Sequence, residues 1–212
     1  MKSISNRTSG AAITMLSLQM LVVGLQGDLM AQCALDCPPQ RFQSNANLVP
    51  NPDFEIVGPC GPVAWIMNGG GSCMANGVAW SAAANWRLHG DNFGNLVQSS
   101  SVPTNLPVGG QARMLRLQAL GMESGIYQPY QMPPGVNSIM FSVWVKVIRG
   151  QAQIGVNSMV NQGPTAFSTK IGEWEQLRVC TNGTRVDWLH IYNQGAGGGE
   201  FYVDRIEVRA IN

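Results

Sequence analysis

The sequence predicts an all-β protein: a two-sheet antiparallel β-sandwich with jelly-roll topology, preceded by a signal peptide. From Asn47 onward, short runs of alternating apolar and polar residues are separated by Gly, Pro and Asn, with no sustained helical period. Two segments at opposite ends of this region, 47–55 (NLVPNPDFE) and 201–208 (FYVDRIEV), read as first and last strands that meet and close the sandwich. Ahead of both, the chain has the order charged, apolar, small.

That leading order reads as a secretory signal peptide. Lys2 and Arg7 lie in 1–9, the run 11–25 is apolar but for Thr14, Ser17 and Gln19, and Ala31 offers a small residue for cleavage. A membrane span needs about 20 apolar residues, and this run is shorter and interrupted. The expected organisation is a signal peptide at 1–31, a short linker at 32–46 and one domain at 47–212, which fits a single core. The protein is then secreted, periplasmic or held in the cell envelope. A lesser alternative is lipidation at Cys33, against which the bulk of Gln32 counts.

Charge excludes some partners. Charged residues make up 12% of the chain and the net charge is +1, so the basic footprint of nucleic-acid binding is missing. Five cysteines in an exported chain point to disulfides. Cys60 and Cys73 bracket the Gly-rich stretch 61–72 and make the preferred bridge, worth about 3 kcal/mol in the loop-entropy model. No CxxC pair supports thiolate-bound zinc.

The clearest strands are 112–118, 125–131, 138–148, 152–157, 173–180, 187–194 and 200–209. Successive side chains of a strand point to opposite faces. In 138–148 this gives a core face of Ile139, Phe141, Val143, Val145 and Val147, and in 112–118 it points Leu115 and Leu117 the same way. In 187–194 Leu189 and Ile191 face the core. Trp188, His190 and Tyr192 therefore share the other side, where folding alone asks for no such trio. Ligand contact, a second layer of core and a dimer contact each account for it.

These residues resemble the jelly-roll carbohydrate-binding modules of the xylan- and cellulose-binding type, in the galactose-binding-like superfamily. The resemblance runs through Asn51-Pro52-Asp53-Phe54-Glu55 as first strand, Gly125-Ile126-Tyr127-Gln128, Pro134-Gly135, Phe141-Ser142-Val143-Trp144-Val145-Lys146, Gly172-Glu173-Trp174-Glu175 and Phe201-Tyr202-Val203-Asp204. It implies non-catalytic glycan binding on an aromatic-bearing concave face, by Trp188, His190 and Tyr192 with Gln128 and Tyr130 on the neighbouring strand. It also implies a structural calcium ion held by Glu55 and Asp204, although Arg205 stands where a second acidic residue is common and could instead pair with Glu207 or Glu55. Trp65 and Trp86 are expected to plug the open end of the sandwich, and His89-Gly90-Asp91-Asn92 lies in the irregular stretch after the first strand.

An enzyme is the weaker reading. Glycoside cleavage generally requires two carboxylates across one bond. Glu173 and Glu175 share one strand face, without an apolar pocket, and no GxSxG elbow occurs. The alternative to glycan binding is an envelope or extracellular β-sandwich that binds a protein or a second copy of itself.

Overall fold

The computed structural model describes residues 42, 46–68, 70–90, 96–106, 112–157, 162–181 and 185–211 of the 212-residue chain. The expected signal peptide, Cys33, Cys37 and most of the expected linker lie outside the described residues, as do Asp91 and Asn92. No helix among the described residues is long and apolar enough to cross a membrane.

The described chain is all-β. In order the strands are β1 (Val63–Met67), β2 (Gly70–Gly71), β3 (Met74–Ala75), β4 (Val78–Ala79), β5 (Arg87–His89), β6 (Val97–Pro103) and β7 (Arg113–Ala119). They continue with β8 (Ser124–Pro129), β9 (Ile139–Arg149), β10 (Ala152–Asn157), β11 (Gln162–Phe167), β12 (Trp174–Cys180), β13 (Trp188–Asn193) and β14 (Gly199–Ala210). One sheet runs β12-β9-β14-β7-β6-β1-β2, a second β11-β10-β13-β8-β5, and β3-β4 form a separate hairpin. All the strand pairings are antiparallel.

The core lies between the two large sheets because each offers one apolar parity. Ile139, Phe141, Val143, Val145 and Val147 of β9, with Leu115, Leu117, Phe201 and Val203, come from the first sheet. Ile126, Ile154, Leu189 and Ile191 come from the second, and all of these side chains are fully buried. A fully buried side chain of this size contributes roughly 1.5–3 kcal/mol through the water-exposed area it removes.

The two end segments meet, but the first is no strand. Residues 49–54 form an irregular turn with Asn51 and Phe54 at positive φ (49° and 55°). Asn51 closes the turn, donating to Ile56 O and Ala84 O at 2.9 and 3.0 Å and accepting from Ile56 N at 2.9 Å. Phe54 is driven wholly into the core against Trp86, 5.8 Å between centroids. The segment 51–55, expected as the first strand, is therefore a plug and not a pleat.

β14 makes the junction possible through a bulge. Its pairing with β9 shifts register between Asp204 and Glu207, with Arg205 at φ 47°, and its pairing with β7 ends at Val203. Beyond the bulge the free edge is taken by the N-terminal segment: Ile206 N donates to Pro52 O and Leu48 N to Val208 O, both 2.8 Å. Asn47 adds a side-chain mimic of a ladder, donating to Ile206 O at 2.6 Å and accepting from Val208 N at 2.9 Å. Phe42, inside the expected linker, bridges Ile211.

Cys60 and Cys73 are disulfide-bonded with Cα atoms 5.5 Å apart, and Cys180 is also in a disulfide. The bridge closes the base of the β1–β2 hairpin. Trp86 is fully buried as expected. Trp65 is not a plug: it stands on the outward side of β1 at 38% exposure, between Val63 and Met67.

Candidate functional site

A cleft of about 420 Å³ crosses the outer face of the five-stranded sheet. Strand parity builds it. Leu189 and Ile191 of β13 point into the core, so Trp188, His190 and Tyr192 rise on the other side, and all three line the cleft. Register supplies their neighbours: His190 is flanked by Tyr127 and Gly155, Tyr192 by Gly125 and Gln153, and Trp188 by Pro129 and Asn157. His89, Glu123, Thr165 and Gln194 complete the lining.

The rings do not lie open to solvent as three platforms. Tyr192 is stacked with two imidazoles, His190 at 4.5 Å (23° between planes) and His89 at 5.1 Å (22°). Gly125, between His89 and Tyr192 in the register, carries no side chain to separate them. Tyr127 meets His89 edge-on at 6.0 Å (85°). Trp188 takes no part in these ring contacts, whereas the Tyr127 ring also lies under the Arg87 guanidinium at 6.0 Å.

His190 forms the floor. It is 2% exposed, and a Cβ on Gly155 would sit 2.6 Å from its Cε1 and Nε2, so only glycine at that place lets the imidazole lie against β10. Its Nδ1 is buried without a hydrogen-bond partner. Burial first, and then the neighbouring His89, lower its pKa from the usual 6.5 to about 4, so the ring is neutral at pH 7. Burial, then Tyr127 and Glu123, raise the Tyr192 phenol further above its ordinary range. Gln153 accepts a short hydrogen bond from Gln194 Nε2, which fixes two amides side by side on the cleft wall.

Gln128 and Tyr130 do not join this site. Gln128 pairs with Leu189 across the ladder and shares its inward face; it is 3% exposed and donates to Asn85 O at 3.2 Å. The cleft residue of that strand is Tyr127. The signal was present, since Gln128 has the parity of Ile126, an unambiguous core residue. Tyr130 follows the end of β8 and lines a separate cavity of about 560 Å³ with Arg185, Asn137 and Asp187, where burial pushes its phenol up to about 12. Also unforeseen were Glu123, Gln153, Asn157, Thr165 and Gln194, because cleft membership depends on which strands become neighbours.

Glu55 and Asp204 stand at the β14 bulge. Asp204 is fully buried, accepting from Thr104 Oγ1 at 2.6 Å and Arg205 N at 2.8 Å. Glu55 Oε1 accepts from the amides of Ala112 and Arg113 at 2.6 and 2.9 Å. Burial is the largest influence raising the Asp204 pKa, the two hydrogen bonds lower it, and the charges of Asp53 and Glu55 raise it again. A buried carboxylate in the field of two others favours a cation. However, no cluster of three or more His, Cys, Asp or Glu side chains with metal-binding geometry exists among the described residues, so carbonyl or water oxygens would have to complete a calcium shell. Glu207, an expected partner for Arg205, pairs instead with Arg209 at 3.3 Å.

The carboxylates outside both sites have structural partners. Glu175 accepts from Thr169 N and Lys170 N at 2.9 and 3.1 Å, and Glu173 forms an exposed ion pair with Lys170 at 3.5 Å.

No protein-family model matches the sequence, and no curated protein matches it. Similar solved structures include the CBM22-1 and GH10 modules of an endo-1,4-β-D-xylanase of Clostridium thermocellum with xylohexaose, 14% identical, covering 79% of this chain and 29% of that chain, TM-score 0.49. The likeness therefore spans less than a third of the xylanase chain. A second is TmCBM61 in complex with β-1,4-galactotriose, 14% identical over 77% of this chain and 98% of that one, TM-score 0.47. A third is the CBM22-1 xylan-binding domain of Paenibacillus barcinonensis Xyn10C, 11% identical over 76% and 92%, TM-score 0.44.

Proposed function

We propose that the chain is an exported, non-catalytic glycan-binding module of jelly-roll topology that holds a polysaccharide segment in the cleft of its five-stranded sheet. The observation that carries this reading is the cleft itself: about 420 Å³, long across five strands, lined by ring edges, two coupled glutamines, Asn157 and Thr165. Sugars present rim hydroxyls that demand such donors and acceptors, and apolar ring faces suited to Trp188 and Tyr127. Glu123 is the one carboxylate among the described lining residues, whereas hydrolysis needs a pair. A neutral His190 leaves the floor of the cleft uncharged.

The reading extends to a calcium ion at Asp204 and Glu55, which would offset the carboxylate repulsion and tie the bulge of β14 to the segment after the N-terminal turn. The leader at 1–31 would direct the chain out of the cytoplasm. Calorimetric titration with soluble polysaccharides tests the main claim: a saturable heat with at least one, lost in Trp188→Ala while the melting temperature is kept, is the expected result. No heat across a broad panel refutes it.

A second reading, contact with a protein or a second copy of the chain, draws on the exposed row Val63, Trp65 and Met67 (47%, 38% and 44%). Concentration-dependent sedimentation abolished by Trp65→Ser would support it.

A further inference from the structure

Among the described residues, Asn51, Phe54, Asn68, Asn76, Asn85, Glu123 and Arg205 are the non-glycine positions at positive φ. Asparagine tolerates this region; bulkier side chains do not. Phe54 fills the core and Arg205 forms the bulge, so both have a packing reason. Glu123, at φ 53°, has an exposed side chain and no burial to show for its conformation. Glycine would hold the same turn without strain.

The turn is nevertheless firmly built. Glu123 N donates to Asn193 O at 2.7 Å, and Gly121 O accepts from both the fully buried Asn193 side chain (2.8 Å) and Ser124 Oγ (2.7 Å). This holds the backbone of Glu123 at the cleft, whose lining it shares with Tyr192 and His89. No Lys or Arg stands among the described lining residues. The Arg87 guanidinium lies over the rings of Trp80 and Tyr127 at 5.4 and 6.0 Å.

We propose that Glu123 is the specificity-determining residue of the cleft: its carboxylate accepts hydrogen bonds from ligand hydroxyls and excludes glycans that carry uronate or sulfate groups. The inference rests on the glycan-binding reading. A carboxylate with no Lys or Arg among the described lining residues attracts O–H donors and repels anions, so discrimination arises from repulsion as well as attraction.

The test is calorimetric titration of the full chain and of Glu123→Gln and Glu123→Gly with neutral polysaccharides (glucan, xylan, galactan) and uronate polymers (polygalacturonate, alginate). The wild type should bind a neutral polymer about tenfold or more tighter than any uronate polymer at low salt, with the gap shrinking as salt screens the charge. Glu123→Gln should shrink that gap to about threefold or less, and Glu123→Gly should raise the melting temperature while weakening neutral binding. Neutral binding with equal uronate binding, or a preference unchanged in Glu123→Gln, overturns the role of Glu123 and leaves the glycan reading intact. No binding of either polymer class overturns both.

Discussion

Lowering the pH should destabilise this fold through His190 in a way that one substitution can isolate. Its folded pKa of about 4 lies below the usual 6.5, so the neutral imidazole is the form the fold accepts. The sign follows from linkage: the contribution is fully present above about pH 6.5 and is lost as pH falls toward the folded value, because the unfolded chain then binds the proton more tightly. A depression of this size corresponds to about 3 kcal/mol in the limit, of which about 2 kcal/mol is already lost at pH 5. The cause is geometric: a ring 2% exposed, seated on Gly155, stacked on Tyr192 and with Nδ1 lacking a partner has no place for a charge. Urea denaturation of wild type and His190→Gln from pH 7.5 to 4.5 reads the effect as a difference, which cancels other titrating groups such as Asp204. The gap between the two curves should change by about 2 kcal/mol between pH 7 and pH 5. A constant gap would show that His190 accepts its proton freely in the folded state and would refute the buried-floor description of the cleft.

Asp204 has the opposite sign: its folded pKa is raised, so its stabilising contribution is present at low pH and is lost as pH rises through the folded value. At pH 7 in excess chelator, Asp204→Asn should therefore melt higher than wild type, and calcium should raise the melting temperature of wild type alone; equal melting of wild type with and without calcium would defeat the ion site. Gly155→Ala forces a Cβ within 2.6 Å of the His190 ring and should cost about 1–3 kcal/mol in urea denaturation together with the glycan signal; an unperturbed variant would mean the ring moves freely. Phe54→Ala empties a fully buried site and should cost about 3–5 kcal/mol, whereas the cost of a surface strand residue would stay below about 1 kcal/mol and contradict the plug.

Much of the architecture was legible because β periodicity is local. The seven runs read from alternation all fall on strands of the structure, and their core faces follow the buried residues of β7, β9 and β13. The strands that escaped, β1 to β6 and β11, are short, polar or Gly-rich: Val97–Pro103 reads VQSSSVP and Gln162–Phe167 reads QGPTAF. Their pairing comes from neighbours rather than from their own side chains.

The candidate site divides along the same line. Side-chain direction within β13 was set by its own alternation, so the common face of Trp188, His190 and Tyr192 could be read from six consecutive residues. What those rings do was not in that alternation. The stacking of Tyr192 with two histidines requires β5 and β8 to lie beside β13, and the seating of His190 requires Gly155 of β10 opposite it. Likewise the meeting of the chain ends was visible in two segments, but that Asn47–Phe54 forms a turn and a plug was decided by the bulge at Asp204, which frees an edge of β14 for it. Periodicity along one strand is a property of the covalent chain; which strand becomes its neighbour is decided by long-range pairing and core packing, and a cleft spanning five strands exists only after that choice is made.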